Sequence, residues 1–327
     1  LYSGNCGTGT TTPPSPGYCT QTGSSITITG GSVGAKTMVQ TTGNTTVNAN
    51  IYSDGKVTLS NSNIVNGKIT AANSANLTGT ILSVGSSAQI TGNIDVKGNI
   101  VVGGGTVNGA VTHPTGTTYT GPTPSGGNIT GTPALPTLPA LPAETSFPAA
   151  GSTNFTNTAT INPGNYGYIS LSNNKTITFN GPGTYVFSSI TANGSNNFVF
   201  NFQNNTTGKF FIYVHGNADM GKSNATMSNG GSAGRIYTET HGTGSGCSIT
   251  KYSFVVANGS SGGTSKWLGT VYASRAGINI GSGTGNSNLT GALWSKSQII
   301  IQRGVTMIYA PFINCSTPNA NAGTDKV

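Results

Sequence analysis

The chain has 327 residues, of which only 6% are charged, and its formal net charge is +8. Disorder normally requires a high net charge and few β-branched or aromatic residues. Here Val, Ile, Thr, Tyr and Phe recur in short alternating runs, which is strand composition. Helical apolar periods are absent, as are apolar runs of about 18 residues, so we expect an all-β protein without a membrane span. The basic residues are scattered along the sequence, which gives no nucleic-acid-binding footprint.

Residues 1–24 are rich in Gly, Thr and Pro, and we interpret them as an N-terminal cap or tail closed by a disulfide. The chain begins with Leu1 rather than Met, which we interpret as removal of a signal peptide. An even number of cysteines in a secreted chain predicts disulfides, with four buried free thiols as the alternative. The simplest pairing is Cys6–Cys19 and Cys247–Cys315. No Cys-x-x-Cys spacing is present, so we predict no metal site.

From residue 25 to about residue 112, a short unit recurs in which a glycine is flanked, two residues away on each side, by an apolar residue. Its five copies are residues 65–69, 77–81, 90–94, 96–100 and 107–111. Their glycines are 12, 13, 6 and 11 residues apart, near multiples of about six, and glycine suits the corner after a short strand. The two apolar residues of a unit are expected to share one face of a strand. Stacking such units would bury one continuous core, which predicts a parallel β-solenoid.

Residues 113–150 break this pattern with eight prolines. Between Pro133 and Pro142 a proline stands at every third position, which is the period of polyproline II. Proline cannot occupy a central strand. We interpret the segment as a semi-rigid connector that lies along the solenoid with its leucines packed, and a disordered linker is the alternative.

Strand patterns return in residues 151–316, now with more aromatic residues. Phe198, Phe200 and Phe202 alternate, which places one aromatic face on a strand. The glycine unit recurs at residues 267–271 and 289–293. We therefore expect a second solenoid segment with a thicker core, followed by a C-terminal tail at residues 317–327.

Several short motifs of this second segment resemble those of known surface proteins. The strand sequences at 269–274, 289–293 and 299–309 are similar to the C-terminal β-helix domain of bacterial cell-surface and pilus-associated proteins. Residues 162–166 and 183–187 resemble the solenoid of ice-binding-like adhesin domains, and residues 319–325 resemble the start of an Ig-like repeat of Bacteroidota surface proteins. The resemblance implies a right-handed parallel β-helix, a surface or fibre role and a longer precursor. It carries no catalytic residues over.

The acidic residues are few and dispersed, six in the whole chain. Glycoside hydrolysis uses two carboxylates facing one sugar, and calcium-dependent lyases need several oxygen ligands. One constellation could supply such groups if the coils stack suitably: His215, Asp219, Glu239 and His241. Solvated turn residues are the alternative interpretation. Sequence motifs for a nucleophile elbow, a zinc protease or a phosphate-binding loop are absent, so we predict no enzyme and no cofactor.

Two kinds of binding residue can be proposed from the sequence. Aromatic side chains that could stack on sugars are Trp267, Trp294, Tyr166 and Tyr168, with core packing as their alternative role. Ice binding would require outward threonines in a ladder of fixed period. Two Thr-x-Thr pairs are present, Thr27 with Thr29 and Thr176 with Thr178, but the sequence shows no regular ladder.

The main functional hypothesis is an extracellular structural or adhesive surface protein. In its fibre form, exposed strand edges at the solenoid ends would pair with those of another copy. A carbohydrate- or ice-binding module is the first alternative, and a polysaccharide-degrading enzyme is the second. The expected partners are other copies of the chain, other surface proteins, or polysaccharide attracted by the net positive charge.

Overall fold

The computed structural model describes residues 19–243, 252–256, 265–281 and 286–313. Within them the chain forms β-strands and one 3-10 helix, Ala233–Arg235, and no described residue is α-helical. None of these residues lies in a helix with the length and apolarity needed to cross a membrane. The prediction of an all-β fold is confirmed.

The strands fall into two series, and all their pairings are parallel. The first series is β1 (Cys19–Thr22), β2 (Ile26–Ala35), β3 (Met38–Thr41), β4 (Thr45–Ser53), β5 (Lys56–Leu59), β6 (Ile64–Val65), β7 (Ile69–Ala71), β8 (Thr80–Val84), β9 (Ala88–Ile90), β10 (Ile94–Val96), β11 (Asn99–Val102), β12 (Gly105–Val107), β13 (Val111–His113), β14 (Tyr119–Thr120) and β15 (Asn128–Thr130). The second is β16 (Ala159–Ile161), β17 (Gly164–Asn165), β18 (Tyr168–Leu171), β19 (Thr176–Asn180), β20 (Gly183–Phe187), β21 (Ser189–Ala192), β22 (Ser195–Asn201), β23 (Phe210–Val214), β24 (Ala218–Asp219), β25 (Lys222–Ser228), β26 (Ile236–Thr240), β27 (Tyr252–Val256), β28 (Lys266–Ala273), β29 (Gly277–Ile280), β30 (Ser287–Ser295), β31 (Gln298–Ile301) and β32 (Val305–Tyr309).

These strands wind into coils with three faces. Twelve strands form one sheet, which we call face A, and the other twenty form a second sheet. The second sheet bends around a corner, because β4 pairs with β6 through its first half and with β7 through its second half. We call the sides before and after this corner face B and face C. Each full coil therefore visits faces A, B and C in turn, which confirms the predicted parallel β-helix.

The recurring glycines stand at two different corners. Gly67, Gly92 and Gly109 stack at the corner between faces B and C, where a Cβ on Gly92 would lie 2.3 Å from the Gly67 carbonyl oxygen. Gly79 and Gly98 stand where face C leads into face A. The glycine spacing looks irregular because glycines from two different corners alternate along the sequence. The expected period of about six residues is wrong, since one coil takes 25 residues from Gly67 to Gly92 and the next takes 17 from Gly92 to Gly109.

The flanking apolar residues are buried except Leu77, which is 43% exposed, and the two residues of a unit do not share one face of a strand as predicted. Val65 ends β6 and Ile69 begins β7, so the two lie on different strands on either side of a corner. Both point inward, and they belong to one core cluster that runs through both series of strands. In the second series this core is aromatic, as predicted, since Phe198, Phe200 and Phe202 are all fully buried.

The two series meet in the middle of the solenoid. Strand β1 pairs with β3 on one side and with β31 on the other, and β2 likewise pairs with β4 and β32. The first series thus winds outward from this joint to β15 at one end. The second series begins at the other end with β16 and winds back to the joint.

Face C lacks one strand at this joint. Residues 32–35 of β2 pair only with β4, and residues 292–295 of β30 pair only with β28, among the described residues. The chain ends β32 at Tyr309, whose ring lies against Gly30 and Gly31. Both glycines have positive φ, +81° and +64°, and a Cβ on Gly31 would lie 2.8 Å from the ring.

Residues 131–158 connect the two ends of the solenoid, and the part from Ala134 to Pro148 runs along face C. Leu138 and Leu141 are buried against Tyr272 and Trp294, and so cover the missing-strand position. Residues 132–150 form no strand and no helix. The proline-rich stretch that was predicted to start at residue 113 first completes a further coil, through β14 and β15. The predicted N-terminal cap likewise contributes β1 to face A.

Candidate functional site

The outward side chains of face B form two rows parallel to the solenoid axis. Row 1 is Thr176, Asn197, Asn224, Lys266, Asn288, Thr306, Thr27, Thr46, Ile64, Gln89 and Thr106, each in register with the next. Row 2 is Thr160, Thr178, Val199 and Thr226, followed by Leu268, Thr290, Ile308, Thr29 and Asn48. Leu268 is buried, whereas the other members are exposed or half-buried. We call this surface the ladder face.

Alternation along each strand produces the rows. In β2, Ile26 and Ile28 are buried while Thr27 and Thr29 face outward, because successive side chains of a strand point to opposite sides. Parallel stacking without a register shift places each outward residue over its equivalent in the next coil. The result is a grid with a spacing of about 4.8 Å along the axis and about 6.6 Å across it.

The grid continues across the joint between the two series. Thr306 lies in register with Thr27, and Ile308 with Thr29, although these pairs are far apart in the sequence. Strands β30, β32, β2 and β4 therefore form one uninterrupted patch, which we call the joint patch: Asn288, Thr290, Thr306, Ile308, Thr27, Thr29, Thr46 and Asn48. Sequence reasoning found only Thr27 and Thr29 of this set, because neither series alone contains the ladder.

The polar side chains of the joint patch have little hydrogen bonding within the protein. Thr27, Thr46, Thr290 and Thr306 make no side-chain hydrogen bond to any described residue. Asn48 Nδ2 donates to Thr29 Oγ1 over 3.4 Å, and Asn48 Oδ1 accepts from Asn66 Nδ2 at 2.7 Å. Amides also bond to one another farther along the second series, where Asn180 Nδ2 donates to Asn162 and Asn201 Nδ2 to Asn180, at 2.9 and 3.0 Å. The joint patch thus presents its hydroxyl groups to solvent.

Charge is nearly absent from the ladder face. Lys266 is the one charged residue in either row. The ion pairs among the described residues lie elsewhere, beside the connector: Lys68–Asp95, Glu144–Arg275, Glu239–His241 and the longer Glu144–His241 contact. A neutral, regular polar surface is suited to an uncharged ligand that has a repeating structure.

The proposed catalytic constellation is not assembled. Asp219 lies on β24 in face A, whereas Glu239 lies on β26 in face C, so the two carboxylates are on different sides of the solenoid. His215 Nε2 lies 2.9 Å from the carbonyl oxygen of Pro148 in the connector. The expectation that stacking could gather these four groups on one face is wrong for Asp219.

Glu239 instead fastens the connector to face C. Its carboxylate is fully buried and accepts hydrogen bonds from Tyr237 Oη and from the Thr145 backbone N–H, each at 2.9 Å. His241 Nε2 lies 2.9 Å from Glu239 Oε1, and the Phe147 ring stacks on His241 with centroids 3.8 Å apart. Burial and the neighbouring carboxylate raise the pKa of Tyr237 well above its usual value. This arrangement satisfies the carboxylate and encloses it beneath the connector.

A second fastening, Glu144–Arg275, makes stability sensitive to acid. Hydrogen bonds from Arg275 lower the pKa of Glu144 from 4.5 to about 2. A carboxylate with a depressed pKa in the folded state stabilises the fold above pH 4.5, and this contribution is lost as the pH falls towards 2. We therefore expect Glu144→Gln to flatten the fall in melting temperature between pH 5 and pH 2, with Arg275→Gln giving the same profile. An unchanged acid profile in both variants would contradict this assignment.

The four candidate sugar-stacking residues form no common platform. Trp267 and Trp294 are each only 2% exposed, the first inside the core and the second beneath the connector leucines. Tyr166 packs against Phe155 and Phe187. Tyr168 is 41% exposed but lies on face A. Burial of the two tryptophan rings corrects the expectation that they present a stacking surface.

The predicted disulfides fall mostly outside the described residues. Cys19 lies buried at the start of β1, and the described part of the chain holds no free cysteine. Cys6, Cys247 and Cys315 lie outside the described ranges, so both pairings stay predictions. The same described residues contain no group of three or more His, Cys, Asp or Glu side chains placed to hold a metal ion.

Comparison with known proteins gives little further guidance. No protein-family model and no curated protein matches the chain. Among solved structures, an ice-binding protein from an Antarctic bacterium, Flavobacteriaceae, aligns with 91% of this chain and 82% of its own, with 16% sequence identity and a TM-score of 0.29. A similarity this low carries no conclusion about the fold or function of this chain, for which the ladder face is the candidate site.

Proposed function

We propose that the protein is an ice-binding module and that the joint patch is its contact surface. The observation that carries this proposal is the continuity of two in-register rows across the joint, both of them uncharged within the joint patch. Four threonine hydroxyls of the patch, at Thr27, Thr46, Thr290 and Thr306, make no hydrogen bond to a described residue. A ladder of this kind is what ice binding requires.

The physical argument rests on order and rigidity. Threonine offers a hydroxyl group, which donates and accepts hydrogen bonds, beside a methyl group, and its β-branch restricts χ1. Hydroxyls held on stacked strands can bind ordered water with little further loss of side-chain entropy. Because the grid repeats along the axis, it complements a crystalline water lattice better than the liquid, which has no repeat.

Thermal hysteresis tests the proposal directly. We expect the wild-type protein to depress the freezing point of water below its melting point. Thr306→Lys places a charged, flexible side chain in the centre of the joint patch, and we expect at least a tenfold loss of this activity. Thr58→Lys is the matched control, because Thr58 is a half-buried residue of β5 on face A, and it should keep full activity. Absence of hysteresis in the wild type, or equal activity in all three proteins, would contradict the proposal.

Extracellular surface adhesion stays compatible with this function, since a neutral binding face could attach its carrier to ice. Sugar stacking has less support, because neither row of the ladder face contains an aromatic residue. Hydrolysis of polysaccharide has less support as well, because Glu239 is enclosed beneath the connector.

One end of the solenoid argues against growth of a fibre by strand addition. At this end β14 has two residues and β15 three, and Pro122 and Pro124 lie between them without a backbone N–H. Short edge strands and proline are features that block pairing with another chain. We therefore expect a monomer of 32.9 kDa in light scattering across a wide concentration range. Concentration-dependent growth of filaments in electron micrographs would contradict this expectation and revive the fibre hypothesis.

A further inference from the structure

A line of lysines runs along the corner between faces C and A. Three residues directly follow a face C strand: Lys296, Asp54 and Lys97. The backbone N–H of each donates to the carbonyl oxygen of the residue that ends the face C strand of the neighbouring coil, at 3.1, 3.1 and 2.9 Å respectively. Lys36 directly follows β2, whose second half lies on face C, and Lys56 begins β5 at this corner. We call Lys36, Lys56, Lys97 and Lys296 the corner ridge.

The corner ridge keeps a net positive charge, because its four lysines lie beside one carboxyl group, that of Asp54. None of its four lysines forms an ion pair with a described residue; Lys97 Nζ donates only to the amide of Asn76, at 3.3 Å. Asp54 is the one acidic residue among them, and burial raises the pKa of its carboxyl group, an effect that Lys36 partly opposes. The other nearby carboxylates form ion pairs beside the connector: Asp95 with Lys68, Glu144 with Arg275 and Glu239 with His241.

The ridge is straight and lies opposite the ladder face. From Lys296 to Lys97 it passes five strand spacings on face A, from β31 to β11, or about 24 Å. The corner between faces C and A is the one corner of a three-faced coil that does not border face B. A polyanion held on the ridge would therefore leave the ladder face open.

We propose that the corner ridge binds a linear acidic polysaccharide. Lysine ammonium groups are compact charges on flexible stems, so they can follow carboxylate or sulfate groups spaced along an extended chain. The attraction is electrostatic and weakens with salt, because the lysines are mostly exposed. The ridge residues include no aromatic side chain on which unpaired bases could stack, which favours polysaccharide over single-stranded nucleic acid.

Binding to alginate and to heparin, measured at 50, 150 and 300 mM NaCl, tests this proposal. The ridge variant carries Lys36→Gln, Lys56→Gln, Lys97→Gln and Lys296→Gln. The control variant loses the same charge through Lys175→Gln, Lys209→Gln, Lys266→Gln and Arg303→Gln. We expect the ridge variant to bind at least tenfold more weakly at 50 mM NaCl, the control less than threefold more weakly, and wild-type binding to fall steeply with salt.

Three outcomes would overturn the proposal: no wild-type binding at 50 mM NaCl, equal losses in both variants, or equally tight binding of duplex DNA or anionic lipid vesicles. Equal losses would show an effect of net charge alone. The proposal is independent of ice binding, and we expect thermal hysteresis of the ridge variant to match that of the wild type.

Discussion

Deletion of residues 137–139 from the connector is expected to destabilise the protein strongly. The connector is anchored to face C at two points, by hydrogen bonds from Ala134 N–H to Asp95 and from Thr145 N–H to Glu239, and the deletion prevents both from forming together. The deletion removes Thr, Leu and Pro, and it leaves the every-third-residue proline pattern intact. The remaining chain is too short to reach both fastenings on face C. Either the contacts at one anchor are lost, or the two series of strands are pulled out of register at the joint.

The connector between its two anchors is only just long enough to span the distance along face C. Ala134 N donates to Asp95 at one anchor, and Thr145 N donates to Glu239 at the other, so eleven residues separate the anchors. On face C the path from β10 to β26 crosses seven coil spacings, counting the vacant one, which is about 34 Å. Eleven residues of polyproline II cover about 34 Å, whereas eight fully extended residues cover at most about 29 Å.

The expected cost is about 5 kcal/mol or more, because buried Leu138 is lost, Leu141 shifts, and Glu239 is left partly unpaired. Thermal unfolding followed by circular dichroism measures it. Insertion of one Ala-Leu-Pro triplet after Pro142 is the control, since added length is tolerated far better than missing length. A deletion variant as stable as the wild type would show that the connector is not under this length constraint.

Trp267→Ala is the second substitution with a large expected effect. The indole ring is 2% exposed and makes edge contacts with Phe198, Phe200 and Phe254, so it joins the aromatic cores of faces A and B. Replacing a buried Trp by Ala typically costs 3–5 kcal/mol, that is about 4 kcal/mol here, through lost burial and the cavity that remains.

Tyr168→Ala is the matched control, because this ring is exposed on face A and its removal should change stability by less than about 0.5 kcal/mol. Denaturant titration of both variants measures the difference. Native stability in Trp267→Ala together with loss of glycan binding would contradict the core assignment and restore the sugar-stacking hypothesis.

The fold class could be read from local patterns, but its dimensions could not. Alternation such as Ile26-Thr27-Ile28-Thr29 and the corner glycines indicate stacked short strands. The coil length was hidden, because glycines such as Gly67 and Gly79 belong to different corners of the same coil and their spacings interleave. A single period therefore could not describe them.

The joint was beyond sequence reasoning for a different reason. Thr27 and Thr306 are separated by 279 positions, and their pairing depends on the second series winding back towards the first. No local signal encodes that return. The candidate ice-binding ladder is built from strands of both series, which are far apart in the sequence. The sequence therefore shows isolated Thr-x-Thr pairs instead of a regular series.

The charged constellation was half predictable. Glu239 and His241 are two residues apart, so a strand-like geometry places them on one side, and the structure brings their side chains within 2.9 Å. Asp219 precedes a corner that turns the chain from face A to face B, which no residue pattern revealed. The role of Glu239 also depends on Thr145 of the connector, whose path follows from the joint.

Partition of the purified protein into slowly growing ice is the most direct measurement of the central claim. Adsorption through the joint patch predicts that the wild type and Thr58→Lys enter the ice at concentrations near that of the starting solution, while the double variant Thr27→Lys/Thr306→Lys stays in the liquid. Exclusion of the wild-type protein from the ice, or entry of all three proteins to the same extent, would contradict it.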